Sequence, residues 1–321
     1  MAQLIRILAL FVAVAGPGTP AQAQDWPQRP TRVIVPFAAG GNTDTIARIV
    51  TERLGAVFAQ PFVVENRVGA GGAIAAEFVA KSAPDGYTLL MAAAPQITIL
   101  QHIQKIGYDP VRDFAPISNI GSNPFVLGVH GSVPAMNLRE FVDYVKGRPG
   151  QLNYASGGSG SVGHLTSALF VNRAGINMTH VPYKGGAPAV ADLVAGTVQM
   201  YFGNASELIQ HGKSGKIRLL GVSSARRAPQ LPEVPAIAES FPGFQTLTWN
   251  GLLAPAGTPP GIVARLATEI RKIVREAPVT ARLISIGVDP LGSTPEEFVE
   301  IIRADIAVWQ EAVRAAGLKV E

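Results

Sequence analysis

The chain of 321 residues contains no cysteine. It therefore has no disulfide framework, no thiolate metal site and no cysteine nucleophile. A lipid anchor on a cysteine behind an export signal is excluded as well. If the chain is exported, we expect it to be released rather than anchored by a lipid.

Charge and aromatic side chains are also sparse. Charged residues make up 16% of the chain, aromatic residues 7%, and the net charge is +4. The longest basic cluster is Arg226-Arg227, and nothing resembles a basic stripe with interleaved aromatic side chains, so we expect no nucleic-acid partner. A mild positive field suits anionic small molecules.

Long apolar runs are confined to the beginning of the chain. A short segment with one positive side chain, Met1–Arg6, precedes the apolar run Ile7–Ala15, which is too short to span a bilayer. Ala21-Gln-Ala23 then offers a cleavage site of small residues. This pattern predicts a secretory signal over residues 1–23, with the bacterial periplasm as the simplest destination, while a buried N-terminal helix is the alternative.

The usual enzyme motifs are missing. There is no G-x-S-x-G nucleophile elbow and no H-E-x-x-H zinc motif, and the histidines at 102, 130, 164, 180 and 211 lack metal-ligand spacing. We therefore expect no catalytic residues, no metal and no cofactor.

The most informative pattern is a pair of strand–glycine loop–helix junctions. The first is Val33–Asp44, with Ala-Ala-Gly-Gly-Asn in its loop, and the second is Leu152–His164, with Ser-Gly-Gly-Ser-Gly-Ser. Each is predicted to place the free N–H groups of a helix start next to a turn without side-chain bulk, and such a helix start binds anions. Two of them suggest a ligand with two negative ends, or with one negative and one polar end.

Gly158-Ser-Gly160-Ser-Val-Gly163 formally matches the dinucleotide fingerprint G-x-G-x-x-G. That fingerprint needs an acidic residue about 20 positions further on, and no Asp or Glu stands between Asp143 and Asp192. The first loop contains no lysine, so it is not a P-loop. An anion at the helix start is favoured over a dinucleotide, and a purely structural turn remains an alternative.

Strand and helix patterns alternate along most of the chain, first over residues 32–128 and again after that. This rhythm predicts an α/β protein with mixed, mostly parallel sheets flanked by helices, built as two similar lobes. We expect one lobe to comprise residues 24–120 plus 225–321 and the other residues 121–224, with the chain crossing near Ile120 and Ser224. The ligand cleft is expected between them, at the carboxyl ends of strands.

Several single side chains allow two interpretations. Asp44 either caps its helix or contacts the ligand, and His164 either donates to an anion or makes a bond on the helix surface. Lys184 either points to the cleft or lies in a solvated turn. Trp249 packs in the core or between lobes, or else forms a ligand wall.

Several long motifs in order resemble the periplasmic solute-binding proteins of tripartite tricarboxylate transporters, the Bug family. The matching segments cover essentially the whole chain behind the predicted signal and are Pro30–Asp44, Val64–Gly72, Ala83–Leu90, Val181–Pro188 and Ala254–Pro259. Asn42 stands where a third glycine is common, and Gly203 stands where an aspartate is frequent.

The resemblance implies the two-lobed fold of periplasmic binding proteins. It implies a hinge-closing monomer without catalysis, which captures a small carboxylate and delivers it to membrane subunits of such a transporter. It implies ligand contacts from one loop of each lobe, largely through backbone N–H groups. The residues carried over are Pro36, Phe37, Ala39, Gly40, Gly41, Asn42, Thr43, Asp44, Ser156, Gly157, Gly158, Ser159, Gly160, Ser161, Gly163, His164, Tyr183, Lys184 and Asn204. The rival functions are a sensor subunit for a membrane receptor kinase and a secreted hydrolase.

Overall fold

The fold is a mixed β-sheet with helices on its faces. A computed structural model describes residues 26–183 and 185–318, so the predicted signal over residues 1–23 and Lys184 lie outside the described residues. Within them the strands are β1 Thr31–Val35, β2 Phe62–Asn66, β3 Thr88–Ala93, β4 Phe114–His130, β5 Asn153–Ser156, β6 Thr179–Pro182, β7 Met200–Asn204, β8 Ile217–Val222, β9 Leu247–Pro255 and β10 Asp289–Pro290.

The helices begin where the sequence offers caps, prolines or glycine turns. Asn137 and Thr294 cap their helices through side-chain oxygens. Proline stands in the first turn of three helices, one of which is the helix that Thr294 caps. The helices in the described ranges are α1 Asn42–Phe58, α2 Ala73–Ala80, α3 Leu138–Lys146, α4 Val162–Ala174, α5 Gly186–Ala195, α6 Ala205–Lys213, α7 Pro260–Ile273, α8 Ala277–Ser285 and α9 Pro295–Ala315.

The strands form two groups joined through β4. The order is β2-β1-β3-β9-β4-β7-β5-β6, with β10 and β8 also paired to β4. Parallel pairs form β1–β2, β1–β3, β5–β6 and β5–β7, whereas β4 and β9 run antiparallel to their neighbours. β4 pairs with β9 up to Pro124 and with β7 and β8 from Phe125 onward. The first lobe is therefore built on β1–β3, β9 and β10, and the second on β5–β8, which confirms the predicted two-lobed α/β class.

Each lobe buries apolar side chains on both faces of its strands. In the first lobe α1, α7 and α8 cover one face, with Ile46, Leu54 and Leu266 fully buried, and α2 covers the other. In the second lobe α3 and α4 cover one face, and α5 and α6 cover the other. These cores hold the ends of β1 and β5 rigidly, and the two glycine loops follow directly from those ends.

The segment from residue 225 to residue 246 packs on the second lobe, although the predicted boundary near Ser224 assigned it to the first. Leu231 and Val234 are buried against Val126 and Val222. Val222 N–H donates to the Pro235 carbonyl, so the segment folds back along β8. We propose that the second crossing lies where β9 begins, after residue 246.

Helix α9 contacts both cores. Phe298 and Ile302 lie in the core of the first lobe, whereas Trp309 and Val313 lie in that of the second. The predicted boundaries assigned all of residues 225–321 to the first lobe, but this helix is long enough to extend past it to α4. The lobes are thus joined by β4, by β9 and by this helix.

Trp249 of β9 lies in the core at the start of this contact. It is 1% exposed, its ring meets Phe298 edge-on with centroids 4.9 Å apart, and its Nε1–H donates to Asp305 Oδ2 over 2.6 Å. Burial raises the pKa of Asp305 to about 6, although the hydrogen bond from Trp249 lowers it in part. The native carboxyl therefore keeps its proton to a higher pH than an aspartate in the unfolded chain does.

Asp305→Asn is expected to stabilise the protein above pH 6. The native carboxyl keeps its proton up to a higher pH than the unfolded one, so the cost of its charge appears as the pH rises through about 6. Because the side chain is partly exposed, we expect the free energy of unfolding at pH 7.5 to rise by roughly 1–2 kcal/mol. Urea denaturation at pH 7.5 and pH 4 measures this.

The gain in the free energy of unfolding should vanish at pH 4. An equal gain at pH 7.5 and pH 4 would show that the charge of Asp305 is not its cause. Asp305→Ala is the control: it leaves the buried Trp249 N–H without an acceptor and should destabilise the protein at both pH values.

Candidate functional site

The first glycine loop connects β1 to α1. Gly41 occupies the N-cap position with φ −72° and no side chain, so the first N–H groups of α1 have no capping oxygen. Gly40 has φ +82°, in the left-handed region that glycine tolerates. The loop thus presents backbone donors without side-chain bulk, as the sequence predicted.

Asp44 holds this loop from behind. Its carboxylate accepts bonds from Gly40 N–H and Asn66 Nδ2 at 2.9 Å, and Arg48 donates to both of its oxygens over 2.9 and 3.0 Å. Burial raises the pKa of Asp44, but the bonds from Arg48, Gly40 and Asn66 outweigh burial and lower it overall. All these partners are protein groups, and they correspond to the capping role rather than to ligand contact.

The second glycine loop connects β5 to α4. Ser161 caps α4 by accepting from His164 N–H over 3.2 Å, and Gly158 and Gly160 have φ +132° and +76°. Ser156 Oγ donates to the Gly158 carbonyl over 3.1 Å, which tightens the turn. Both predicted junctions therefore have the expected strand–loop–helix geometry.

A stack of aromatic rings lies beneath the second loop. The rings of His164 and His180 are 3.8 Å apart, and Tyr154 stacks on His180 at 5.0 Å. His164 is 4% exposed, and its Nδ1 accepts from Gly160 N–H over 3.1 Å. The histidine is therefore not a surface group: it faces the interior, and its Nδ1 supports the loop as an acceptor.

Burial, with a smaller effect of the adjacent His180, lowers the pKa of His164 to about 4. Its Nδ1 can accept from Gly160 only while that nitrogen is unprotonated. The neutral form of His164 is thus part of the loop structure.

Acidification from pH 6.5 to pH 4 is expected to destabilise the protein through His164. In this pH window the histidine of the unfolded chain is protonated, whereas the native His164 is not. The free energy of unfolding therefore has its full value above about pH 6.5 and falls as the pH drops toward 4. The lowered pKa of His164 corresponds to a loss of roughly 3 kcal/mol in the free energy of unfolding. Denaturant midpoints measured across this range for the wild type and His164→Asn should show a shallower decline in the variant.

His211→Asn on α6 is the control for this prediction, because His211 is only partly buried near the end of its helix and lies outside the stack. A decline that is unchanged in His164→Asn would show that His164 does not carry the effect.

The two loops open into one cleft of about 680 Å³ between the lobes. Of the predicted residues, those that line it are Phe37, Gly41, Asn42, Thr43, Gly157, Gly158, Ser159, Gly160, Ser161, Gly163 and Asn204. Those placed behind the loops or beside them are Pro36, Ala39, Gly40, Asp44, Ser156, His164 and Tyr183. Ligand binding by these residues stays a prediction.

The cleft has further walls that the sequence reasoning did not assign. They include Ala70 and Gly71, Ile103 and Gln104, Gly185 and Gly186, Tyr201 and Glu207, and Thr248 and Asn250. Ala70 and Gly71 belong to a glycine motif that was visible in the sequence. The other pairs become neighbours only through the packing of the two lobes.

Asparagines form the floor of the cleft where the chain passes between lobes. Asn42 Nδ2 and Asn250 Nδ2 both donate to Asn123 Oδ1, over 3.4 and 3.3 Å, and Asn123 Nδ2 donates to the Gly287 carbonyl over 3.0 Å. This series of hydrogen bonds links the first loop to β4 and β9, the strands that pass between the lobes. These contacts give Asn42 a structural role.

Among the lining residues that the structure describes, Glu207 is the one carboxylate, and none is a lysine, arginine or histidine. Anion binding here would therefore rely on backbone N–H groups and helix starts. A second cavity of about 860 Å³ lies along the start of α9, but Glu296, Glu297 and Glu300 line it. It is acidic and far from the glycine loops, so it is a poor anion site.

Neither a membrane span nor a metal cluster is found in the described ranges. No helix there is long and apolar enough to cross a bilayer, and no group of three or more His, Asp or Glu side chains is arranged to hold a metal ion.

Two α/β lobes around a cleft lined by helix starts define the class of periplasmic binding proteins. Residues 46–318 match the Tripartite tricarboxylate transporter family receptor. The chain belongs to this family, whose members act as solute-binding receptors.

Solved structures of this class are similar over nearly their whole length. R. palustris Rpa4515 with adipate is 37% identical, with a TM-score of 0.84 over 92% of this chain and 100% of that one. The periplasmic binding protein BugD is 33% identical, with a TM-score of 0.79 over 92% and 100%. MatC from Rhodopseudomonas palustris with bound malate is also 33% identical, with a TM-score of 0.78 over 90% and 100%.

Proposed function

We propose that this protein captures a small carboxylate in the periplasm and delivers it to the membrane subunits of a tripartite tricarboxylate transporter. The observation that carries the proposal is the convergence of two bulk-free helix starts, those of α1 and α4, on one cleft. Their N–H groups suit carboxylate oxygens, and the lining residues described include no basic side chain that would take that role.

The magnitudes are consistent with capture by backbone donors. Micromolar affinity needs about 8 kcal/mol. A charge-assisted hydrogen bond contributes about 1.5–3 kcal/mol, and a helix start adds about 0.3–2 kcal/mol. Four or five such contacts suffice only when the loops are already in place before binding. Asp44 and His164 provide that preorganisation, because each fixes a glycine of its loop.

Related receptors support the choice of ligand. Rpa4515 was solved with adipate and MatC with malate, and both share the fold of this chain over at least 90% of its length. We propose binding without turnover, as a monomer that meets its membrane subunits after the cleft has closed on the ligand.

Isothermal titration against mono-, di- and tricarboxylates, amino-carboxylates, neutral sugars and amines tests the capture step. At least one carboxylate should bind with micromolar or tighter affinity, while sugars and simple amines should not. Binding of a neutral sugar or an amine with no carboxylate bound would refute the proposal. Delivery is tested by uptake into proteoliposomes that contain the membrane subunits, with and without the receptor.

A further inference from the structure

Glu207 forms an acceptor corner of the cleft on the second lobe. It stands in the first turn of α6, and its Oε2 accepts from Asn204 N–H and from the Tyr201 hydroxyl, both over 3.0 Å. Asn204 Oδ1 is buried in the same corner and accepts no hydrogen bond from any described residue. The corner is therefore rich in oxygen acceptors, of which the Glu207 carboxylate reaches the cleft, in contrast to the donor-rich loops.

Two glycines fix the place of this carboxylate. A Cβ at Gly203 would lie 2.8 Å from Glu207 Oε2, and a Cβ at Gly186 would overlap Oε1 and lie 3.0 Å from the Tyr201 hydroxyl. Glu207 and Tyr201 thus fill the space that side chains at 186 and 203 would need. A side chain at either position would force Glu207 or Tyr201 to move, so the two glycines are part of the acceptor corner.

The corner has no positive partner among the described residues. Glu207 makes no ion pair there, and burial raises the pKa of its carboxyl. A partly buried carboxylate with no nearby countercharge is unfavourable in the empty cleft. A cation brought by the ligand would remove this cost, whereas a second ligand carboxylate would add like-charge repulsion.

We propose that Glu207 selects a carboxylate ligand that carries an ammonium group at its opposite end. The ligand carboxylate lies on the glycine loops, and its ammonium donates to Glu207. This rests on the proposed function and specifies it further: the ligand is an amino-carboxylate, and straight dicarboxylates of equal length bind more weakly.

Matched ligand pairs test the assignment. Isothermal titration at pH 7.5 should compare 6-aminohexanoate with adipate and hexanoate, and 5-aminopentanoate with glutarate and pentanoate. In the wild type the amino-carboxylate of at least one set should bind at least about tenfold more tightly than its dicarboxylate, the lower end of what one charged hydrogen bond contributes. Glu207→Gln keeps the size and one acceptor, and it should lose that preference.

Two further variants complete the design. Glu233→Gln removes the same charge from an exposed position of the second lobe and should leave the preference intact. Lys184→Met tests whether that lysine, rather than the ligand, supplies the positive charge: the preference should persist in the variant. A preference that is absent from the wild type and appears only in Lys184→Met, or tighter binding of dicarboxylates by the wild type, overturns the inference. If no carboxylate of either kind binds, the proposed function itself fails, and the two failures are thereby distinguished.

Discussion

A valine at position 160 is expected to weaken carboxylate binding at least about 100-fold. Gly160 has φ +76°, and a Cβ there would lie 2.6 Å from Ile103 Cδ1, which belongs to the opposite wall of the cleft. A branched side chain would hold the second loop away from Ile103 and turn its N–H groups out of position. The loss of two charge-assisted bonds corresponds to such a factor.

The valine is also expected to lower stability by about 1–2 kcal/mol, because L-residues are strained in the left-handed region. The pattern of glycines in the sequence alone suggests a purely local block, with the fold unaffected. Gly160 is buried, however, and its conformation adds a folding cost.

A matched glycine separates strain from obstruction. Gly175, at the far end of α4, has φ +60° and open space around a would-be Cβ, so Gly175→Val should cost stability without affecting binding. Ile103→Ala in the Gly160→Val background should restore part of the affinity by removing the overlap. Titration calorimetry and thermal melts of the four proteins measure both effects. Equal binding losses in the two valine variants would contradict the explanation.

Asp44→Ala is expected to cost about 3–5 kcal/mol of folding stability, the range for breaking a buried charged network. The side chain is 2% exposed and binds Gly40, Asn66 and Arg48 together. Without it the Gly40 N–H and the Asn66 amide lose their acceptor, and the first loop loses its support. Urea denaturation measures the stability, and ligand affinity should fall in parallel because the loop is no longer preorganised.

Two further substitutions test how much of the stability loss comes from the buried carboxylate itself. Asp44→Asn keeps one oxygen and should lose less, whereas Arg48→Ala removes a half-exposed partner and should cost only about 1 kcal/mol. An Asp44→Ala loss no larger than that of Arg48→Ala would show that the carboxylate merely forms a surface pair.

The parts of the site that were predictable from sequence are those encoded locally. A buried strand, a run of glycines and a helix stand next to one another in the chain, so both loops followed from the pattern of residues 33–58 and 152–174. The position of Asp44 in the first helical turn indicated a cap in the same way.

The parts that escaped prediction depend on contacts between distant segments. His164 is buried because His180, from β6, stacks on it. Glu207 enters the cleft because Gly186 and Gly203 leave room for it, and neither spacing nor composition reveals that fit. The segment before β9 and the second half of α9 were misplaced for the same reason, since apolar periodicity shows that a face is buried but not against which lobe.

Helix α9 limits how the receptor can move. Two strands alone would let the lobes swing about a single axis, but the helix is anchored by Phe298 in one core and by Trp309 in the other. A wide swing would expose the Trp309 ring to water at a cost of a few kcal/mol. We therefore expect the lobes to open through a small sliding of α9 along α4, which is a shear of packed helices rather than a wide hinge opening. The Arg173–Glu311 ion pair at that contact is exposed enough to break and re-form as the helices slide.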